Sequence, residues 1–285
     1  MTFRQARSWA AARLAQLEDP DLEARLLILH VTGWKQHTLF LNLDRPVPAD
    51  DLIRFRDAVE RRASREPLQH ITGRAWFLDR EFLAGPEALV PRPETETLLL
   101  EFMKLLFRPR LLLDLGTGSG IMAVTLACRY PDALVLGSDL SGKALALAAD
   151  NSRVHGAENV AFVQGNMLRP FRGSCRRFDG IVANLPYIPS PEIAGLQPEV
   201  TNGDPVMALD GGPDGLDLVR GLLGCAAELL KQDGVIALEL DTSQTENVAD
   251  SLSASGEWSH VAVANDLGGR PRVVTAMLKN RRRFL

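Results

Sequence analysis

Cysteine is scarce in this chain: Cys128, Cys175 and Cys225 are the only three. Their number is odd, their spacing is wide, and no Cys-x-x-Cys pair occurs. This argues against a disulfide framework or a zinc site and fits a reducing, cytoplasmic setting. Cys128 and Cys225 fall in apolar helical patterns and read as small core residues. The five histidines are scattered, so no metal site is expected. No run of about 18 apolar residues is present, which argues against a membrane-spanning helix. Met1 to Leu17 carries charges throughout and lacks a signal-peptide apolar core. Excess positive charge is missing too, since the net charge is -4. A protein that grips long stretches of nucleic acid usually shows a basic domain or stripe. The one dense basic cluster, Lys279, Arg281, Arg282 and Arg283, reads as a solvated tail. No membrane partner and no direct nucleic-acid partner are expected.

What is present is an ordinary globular composition over 285 residues, a length comfortable for two domains. No internal repeat or low-complexity tract occurs. The first third reads as helical. Arg4 to Leu17 is rich in good helix formers. Asp21 to Val31 repeats apolar residues at helical spacing before a stop at Gly33. Leu52, Phe55 and Val59 form a third stripe, with Asp50 and Asp51 near its start. From Pro67 to Leu83, the runs His70 to Gly73, Trp76 to Leu78 and Glu81 to Leu83 suggest two short strands turning at Asp79-Arg80. Pro93, Glu94 and Glu96 then suit the first turn of a helix.

From about residue 110, strands and helices alternate. Apolar strands are expected at Leu111–Leu115, Ala133–Gly137, Val160–Val163, Gly180–Ala183 and Val235–Leu240. Helices are expected at Ile121–Cys128, at Lys143–Asn151 with Ser141 as N-cap, and at Leu216–Leu230. Such alternation means a mostly parallel sheet covered on both faces. Val261–Ala264 and Val273–Leu278, with no long helix between them, suggest an antiparallel end to that sheet.

Three motifs carry chemistry. Asp114-Leu115-Gly116-Thr117-Gly118-Ser119-Gly120 lies where a strand gives way to a helix, and glycines there bring backbone N–H groups close to a ligand. Its Gly-x-Gly-x-Gly spacing is tighter than the dinucleotide fingerprint. It matches methyltransferases that hold the methionine part of S-adenosylmethionine. Asp139 ends the next strand, about 20 residues on, where a carboxylate can accept both ribose hydroxyls. Third, a strand runs directly into Asn184-Leu185-Pro186-Tyr187, facing the same crevice. A target NH₂ conjugated to a carbonyl or a ring is a poor nucleophile. The Asn184 side-chain oxygen and a neighbouring backbone carbonyl can each accept one of its N–H groups, orienting the nitrogen as the methyl arrives. Tyr187 can stack on the planar group. Each motif also has a plainer reading, as a bare strand–helix turn, a helix cap, or an Asn-Pro-type turn.

Together these motifs resemble those of the amino-methyltransferase group, and further segments narrow it. Glu66-Pro67-Leu68-Gln69-His70-Ile71-Thr72-Gly73 and Leu89-Val90-Pro91-Arg92-Pro93-Glu94-Thr95-Glu96 closely resemble the protein-(glutamine) methyltransferases of the PrmC/HemK type. So do Leu209 to Leu216 and Asp266 to Val273. The resemblance runs through nearly the whole chain. It implies an α/β fold, a Rossmann-like seven-stranded class I methyltransferase sheet with a small N-terminal all-α domain and a β-hairpin linker. The implied division is a helical bundle for substrate-protein recognition over 1–65, the hairpin over 66–86 and the methyltransferase domain over 87–285. The implied cofactor is S-adenosylmethionine, and the implied substrate is the glutamine in the Gly-Gly-Gln loop of peptide chain release factors. Gly116, Thr117, Gly118, Ser119, Gly120 and Asp139 would bind the cofactor. Asn184, Leu185, Pro186 and Tyr187 would hold the glutamine, with Asn184 also near the cofactor.

Three positions depart from the family pattern. The tetrapeptide usually has proline where Leu185 stands, but leucine supplies the same backbone carbonyl. Gly165-Asn166-Met167 replaces a usual Gly-Asp pair followed by an aromatic or apolar residue; Asn166 can still hydrogen-bond adenine and Met167 can pack on the ring. Asp241 stands where glycine is frequent, without an evident reason in the sequence. Two other readings are weighed. Asn-Leu-Pro-Tyr is also typical of enzymes that methylate adenine in ribosomal RNA, and an adenine amino methyltransferase acting on ribosomal RNA or DNA is the alternative; the acidic chain and the segments around residues 66–96 oppose it. A non-catalytic S-adenosylmethionine binder would share the first two motifs, but it would not need Asn184, Pro186 and Tyr187.

Overall fold

The computed structural model describes residues 1–173 and 177–280. Cys175 and the Arg281, Arg282 and Arg283 tail lie outside the described residues. Two compact units are present: residues 1–74 with 197–203, and residues 75–196 with 204–285.

The first unit is helical. It contains α1 (Phe3–Arg13), α2 (Pro20–Thr32), α3 (Gln36–Leu41), α4 (Ala49–Ala63) and α5 (Leu68–Thr72). Thr2 opens α1 by accepting from the Gln5 backbone N–H, and the Gln5 side chain accepts from Thr2 in return. Helix α1 stops at Arg13, short of the expected Leu17, yet Leu14 and Leu17 remain buried in a core with Phe3, Leu27, Leu39 and Phe55. The short α3, at six residues, is too brief for a helical period to show in the sequence. The expected extended stretch at His70 to Gly73 is instead α5. Gly73, with φ 68°, ends it as a left-handed helix cap. Arg62, almost fully buried, bonds Glu23 through two 3.0 Å contacts and Glu199 at 3.4 Å, which ties α2, α4 and α9 (Pro198–Gly203) together within this unit.

The second unit opens at the hairpin of β1 (Arg74–Phe77) and β2 (Arg80–Leu83), which turns at Leu78-Asp79. Phe77 and Phe82 drive its burial. Next come α6 (Pro93–Leu105), β3 (Leu111–Leu115), α7 (Ile121–Arg129), β4 (Leu134–Asp139), α8 (Gly142–His155), β5 (Val160–Gln164) and β6 (Phe178–Ala183). The series ends with α10 (Asp217–Leu229), β7 (Leu230–Glu239), α11 (Thr242–Ala254), β8 (Trp258–Asn265) and β9 (Pro271–Leu278). Seven strands form one sheet in the order β5-β4-β3-β6-β7-β9-β8. Five are parallel, and β9 runs antiparallel to both β7 and β8, as the missing helix between the last two strands predicts. Two apolar cores cover the two faces of the sheet. Cys128 and Cys225 sit half-buried at their margins. Among the described residues, no helix is long and apolar enough to cross a membrane.

Strand order fixes where a ligand can enter. The chain leaves β3 toward β4 on one side and later returns on the other side at β6, so the crevice opens beyond the carboxyl ends of these strands. Leu115 pairs with Ser138 on β4 and Ala183 on β6, so the three ends are level. The glycine loop, Asp139 and Asn184 therefore emerge side by side.

Candidate active site

The glycine loop is held from below by Asp114. This carboxylate is fully buried; its Oδ2 accepts from Thr117 Oγ1 at 2.6 Å and from the Ala123 N–H at 3.0 Å. Burial pushes its carboxyl up to about 7, against the two hydrogen bonds. Above it, Gly116, Gly118 and Gly120 all adopt positive φ. At Gly116 a Cβ would stand 3.2 Å from Leu185 Cδ2 and 3.4 Å from the Asn184 carbonyl. The bare backbone there lets the loop lie against the tetrapeptide. Gly120 has a different reason: a Cβ would stand 2.7 Å from that of Ala148, so it lets α7 approach α8. Asp139 closes the loop laterally. Its Oδ2 accepts from the Gly118 N–H at 2.9 Å and its Oδ1 from the Ser141 N–H at 2.8 Å. Each carboxylate oxygen keeps a further lone pair for a ligand hydroxyl.

The tetrapeptide leaves β6 through Asn184, whose Nδ2 donates to Thr95 Oγ1 at 3.0 Å. Thr95, in the first turn of α6, donates its own proton to Glu239 Oε2 at 2.8 Å. Tyr187 donates its hydroxyl toward the other oxygen, Glu239 Oε1, at 3.4 Å. Glu239, the last residue of β7, is 1% exposed. Burial pushes its carboxyl up to about 7, opposed by the Thr95 hydrogen bond. Burial, and then the Glu239 charge, raise the Tyr187 hydroxyl. The exit of the tetrapeptide is clamped by Gln244 on α11, whose Nε2 donates to the Tyr187 carbonyl at 2.9 Å and the Asp214 carbonyl at 3.2 Å.

A cavity of about 190 Å³ lies over this arrangement. Gly116, Thr117, Gly118, Ser119, Asp139, Asn166, Met167, Asn184, Leu185 and Pro186 all line it. Gly120 and Tyr187 do not; Gly120 is packed between helices, and the Tyr187 hydroxyl points to Glu239. The Leu185 side chain is buried in the core as well as lining the cavity, so apolar packing fixes a segment that proline usually stiffens. Thr95 also lines the cavity, though in the sequence it belongs only to a helix entry, and no motif marks Glu239 or Gln244. A buried acid ending an apolar strand was the available signal for Glu239. Pro205, Met207, Ala208 and Leu218 add apolar surface to the lining. The whole lining can therefore hold a flat, partly polar ligand beside a group presented to Asn184.

Comparison with known proteins agrees with this geometry. Residues 5–73 match the family described as the PrmC N-terminal domain, and residues 112–202 match a methyltransferase domain. The release factor glutamine methyltransferase of Geobacter sulfurreducens is 38% identical over 275 residues, covering 96% of this chain and 95% of that protein. The protein of the same name from Deinococcus radiodurans is 40% identical over 281 residues, with 97% and 98% covered. Among solved structures, a methyltransferase from Pyrococcus furiosus aligns with a TM-score of 0.51 at 20% identity, over 70% of this chain and 89% of that one, a likeness of fold. With identity of this order sustained through both units, the chain belongs to the release factor glutamine methyltransferase family.

Proposed function

We propose that this protein transfers a methyl group from S-adenosylmethionine to the side-chain amide nitrogen of the glutamine in the Gly-Gly-Gln loop of peptide chain release factors, and that Asn184 with the Leu185 carbonyl holds that nitrogen. The observation that carries the residue assignment is the Asn184 amide. Its nitrogen is engaged by Thr95, while its oxygen receives no donor among the described residues, and Asn184 lines the cavity. An acceptor fixed in this way takes one N–H of a primary amide, and a backbone carbonyl beside it takes the other. The nitrogen is thereby oriented, and electron density is pushed onto it as the methyl arrives. When bound, S-adenosylmethionine supplies an electrophilic methyl on a sulfonium centre, which needs no metal or strong base. The proton on nitrogen becomes acidic as the new bond forms and leaves to solvent.

The loop from Gly116 to Gly120 and Asp139 fit the cofactor. Positive φ at the glycines opens a cradle that a Cβ at Gly116 would narrow, and Asp139 retains lone pairs for ribose hydroxyls. Asn166 suits the adenine edge and Met167 its face, both being in the cavity wall. Tyr187 supports the tetrapeptide through Glu239. The helical unit is the natural recognition surface for the release factor, and the cytoplasm, where release factors work, is the expected location.

The test is labelled methyl transfer to purified release factor and to ribosomal RNA in parallel, with mass spectrometry of the Gly-Gly-Gln peptide. One added methyl on that glutamine is expected. Labelled RNA with unlabelled release factor would overturn the reading. Asn184→Ala is expected to lower kcat by about 100-fold, since orientation of the nucleophile is lost, while the cofactor Kd stays within a few-fold. Asp139→Ala is expected to raise the cofactor Kd by about 10–100-fold, the worth of hydrogen bonds to a charged acceptor. An unchanged Kd would remove Asp139 from the ribose site.

A further inference from the structure

Thr95 and Glu239 stand behind Asn184, and the direction of their hydrogen bonds determines which face the amide offers the cavity. A threonine hydroxyl has one proton to give. The Thr95 proton goes to Glu239 Oε2 at 2.8 Å, which leaves Thr95 Oγ1 as an acceptor toward Asn184, met by Nδ2 at 3.0 Å. Glu239 is 1% exposed and absent from the cavity wall, so it stands behind the space assigned to cofactor and substrate. Its influence passes through Thr95, which is 4% exposed.

We propose that Glu239 is a positioning residue for methyl transfer: as a carboxylate it holds the Thr95 proton, and Thr95 thereby fixes the Asn184 amide with its oxygen toward the target nitrogen. This rests on the reading of Asn184 given above. A carboxylate only accepts, so the relay runs one way, from amide N–H to hydroxyl to carboxylate. A proton on Glu239 Oε2 reverses it. The carboxyl then donates to Thr95, the Thr95 proton turns to Asn184, and the amide must rotate by half a turn to present its oxygen to Thr95. Its NH₂ then faces the NH₂ of the substrate, donor against donor, and the nucleophile is no longer held.

The surroundings make this reversal accessible near neutral pH. Glu239 faces Glu94 from α6, Arg272 from β9 and Tyr187 from the loop after β6. β6 ends in the apolar run Ile181, Val182 and Ala183, and α10 packs its apolar side with Ile236 and Leu238 in the core on the other face of the sheet. Burial and Glu94 raise the carboxyl, while Thr95, Arg272 and Tyr187 lower it, leaving it at about 7.

The experiment uses the full chain with Glu239→Gln, Thr95→Val and Thr95→Ser. Glutamine keeps the shape but can donate to Thr95 as readily as accept, so the preference is erased. Glu239→Gln is expected to lower kcat by about 100-fold, with cofactor Kd within twofold. Wild-type kcat is expected to rise between pH 6 and 8 and the variant's to stay flat. Thr95→Ser should retain kcat within about threefold and Thr95→Val should behave like Glu239→Gln, because only the hydroxyl is used. A Glu239→Gln kcat within threefold of wild type, or a loss confined to cofactor affinity, would overturn the proposal. A second readout needs no substrate: the side-chain amide signal of Asn184 in ¹⁵N-labelled protein should titrate with a midpoint near pH 7 in wild type and not in Glu239→Gln. A pH-invariant wild-type signal sinks the relay even where release factor is methylated. A titrating signal in a protein that leaves release factor unlabelled upholds the relay and sinks the functional reading alone.

Discussion

Glu239 carries a cost that its position behind Asn184 explains. An ordinary glutamate titrates near 4.5 when unfolded, whereas this one is raised to about 7 in the folded chain. Between those values the folded state holds a proton that the unfolded state has released, so this group makes stability fall as pH rises. Glu239→Gln removes that titration. Its stability relative to wild type should therefore grow from about pH 5 to pH 7, by at most on the order of 1.4 kcal/mol for each pH unit. Denaturant melts of the two proteins at several pH values measure it, and a difference independent of pH would show that Glu239 is not raised. Gly120 gives a contrasting case. With φ 79° and Ala148 at 2.7 Å from any added Cβ, Gly120→Ala should destabilise the fold by about 1–3 kcal/mol without touching the cavity, while Gly116→Ala, strained at φ 74°, should weaken cofactor binding as well. Melting and binding measured together separate the two effects. Asn184 and Asp139 were legible in the sequence because each sits in a local motif with its own chemistry. Glu239 and Thr95 were not, because they meet across 144 positions of sequence, and only the assembled sheet brings them together.

Helix α11 resolves the position left unexplained by the sequence. Asp241 is its N-cap: Oδ1 accepts from the Ser243 N–H at 2.9 Å and the Ser243 hydroxyl at 2.7 Å, and Gln244 Oε1 accepts from the Asp241 N–H at 3.1 Å. Glycine is itself tolerated at N-caps, so either residue can open this turn. Asp241→Gly should cost only a few tenths of a kcal/mol and Asp241→Ala about 1 kcal/mol. The same turn aims Gln244 at the Tyr187 and Asp214 carbonyls. Gln244→Leu leaves both without that donor, and kcat should fall more than cofactor affinity; equal falls would mean that the clamp serves the whole cavity. The helical period of α2 and the continuous apolar run of β3 mark both elements close to their observed bounds. The misread one, α5, shows the limit: Ile71-Thr72 suits a strand by composition, and five residues are too few for a helical period to appear.

At the scale of the molecule, alternation of apolar strands and helices announced the parallel sheet, and the missing last helix announced its antiparallel end. What no periodicity announced is that residues 197–203, downstream of the tetrapeptide, belong with the helical unit. Glu199 is the anchor there, bonded to Arg65 at 2.7 Å and Arg62 at 3.4 Å. The cavity, in contrast, is lined only by residues of the second unit, which has its own two cores. Cofactor binding and protein recognition should therefore separate on truncation. A chain beginning at Ala75 is expected to bind S-adenosylmethionine with a Kd within about tenfold of the full protein, because every lining residue is retained. Its kcat/KM for intact release factor should fall at least about tenfold more than that for a short Gly-Gly-Gln peptide, a difference of about 1.4 kcal/mol in transition-state binding that the helical unit would supply. Calorimetry with cofactor and parallel assays on the two substrates measure both quantities. Equal losses on factor and peptide would remove recognition from the helices, and loss of cofactor binding would make the helical unit a structural requirement of the cavity itself.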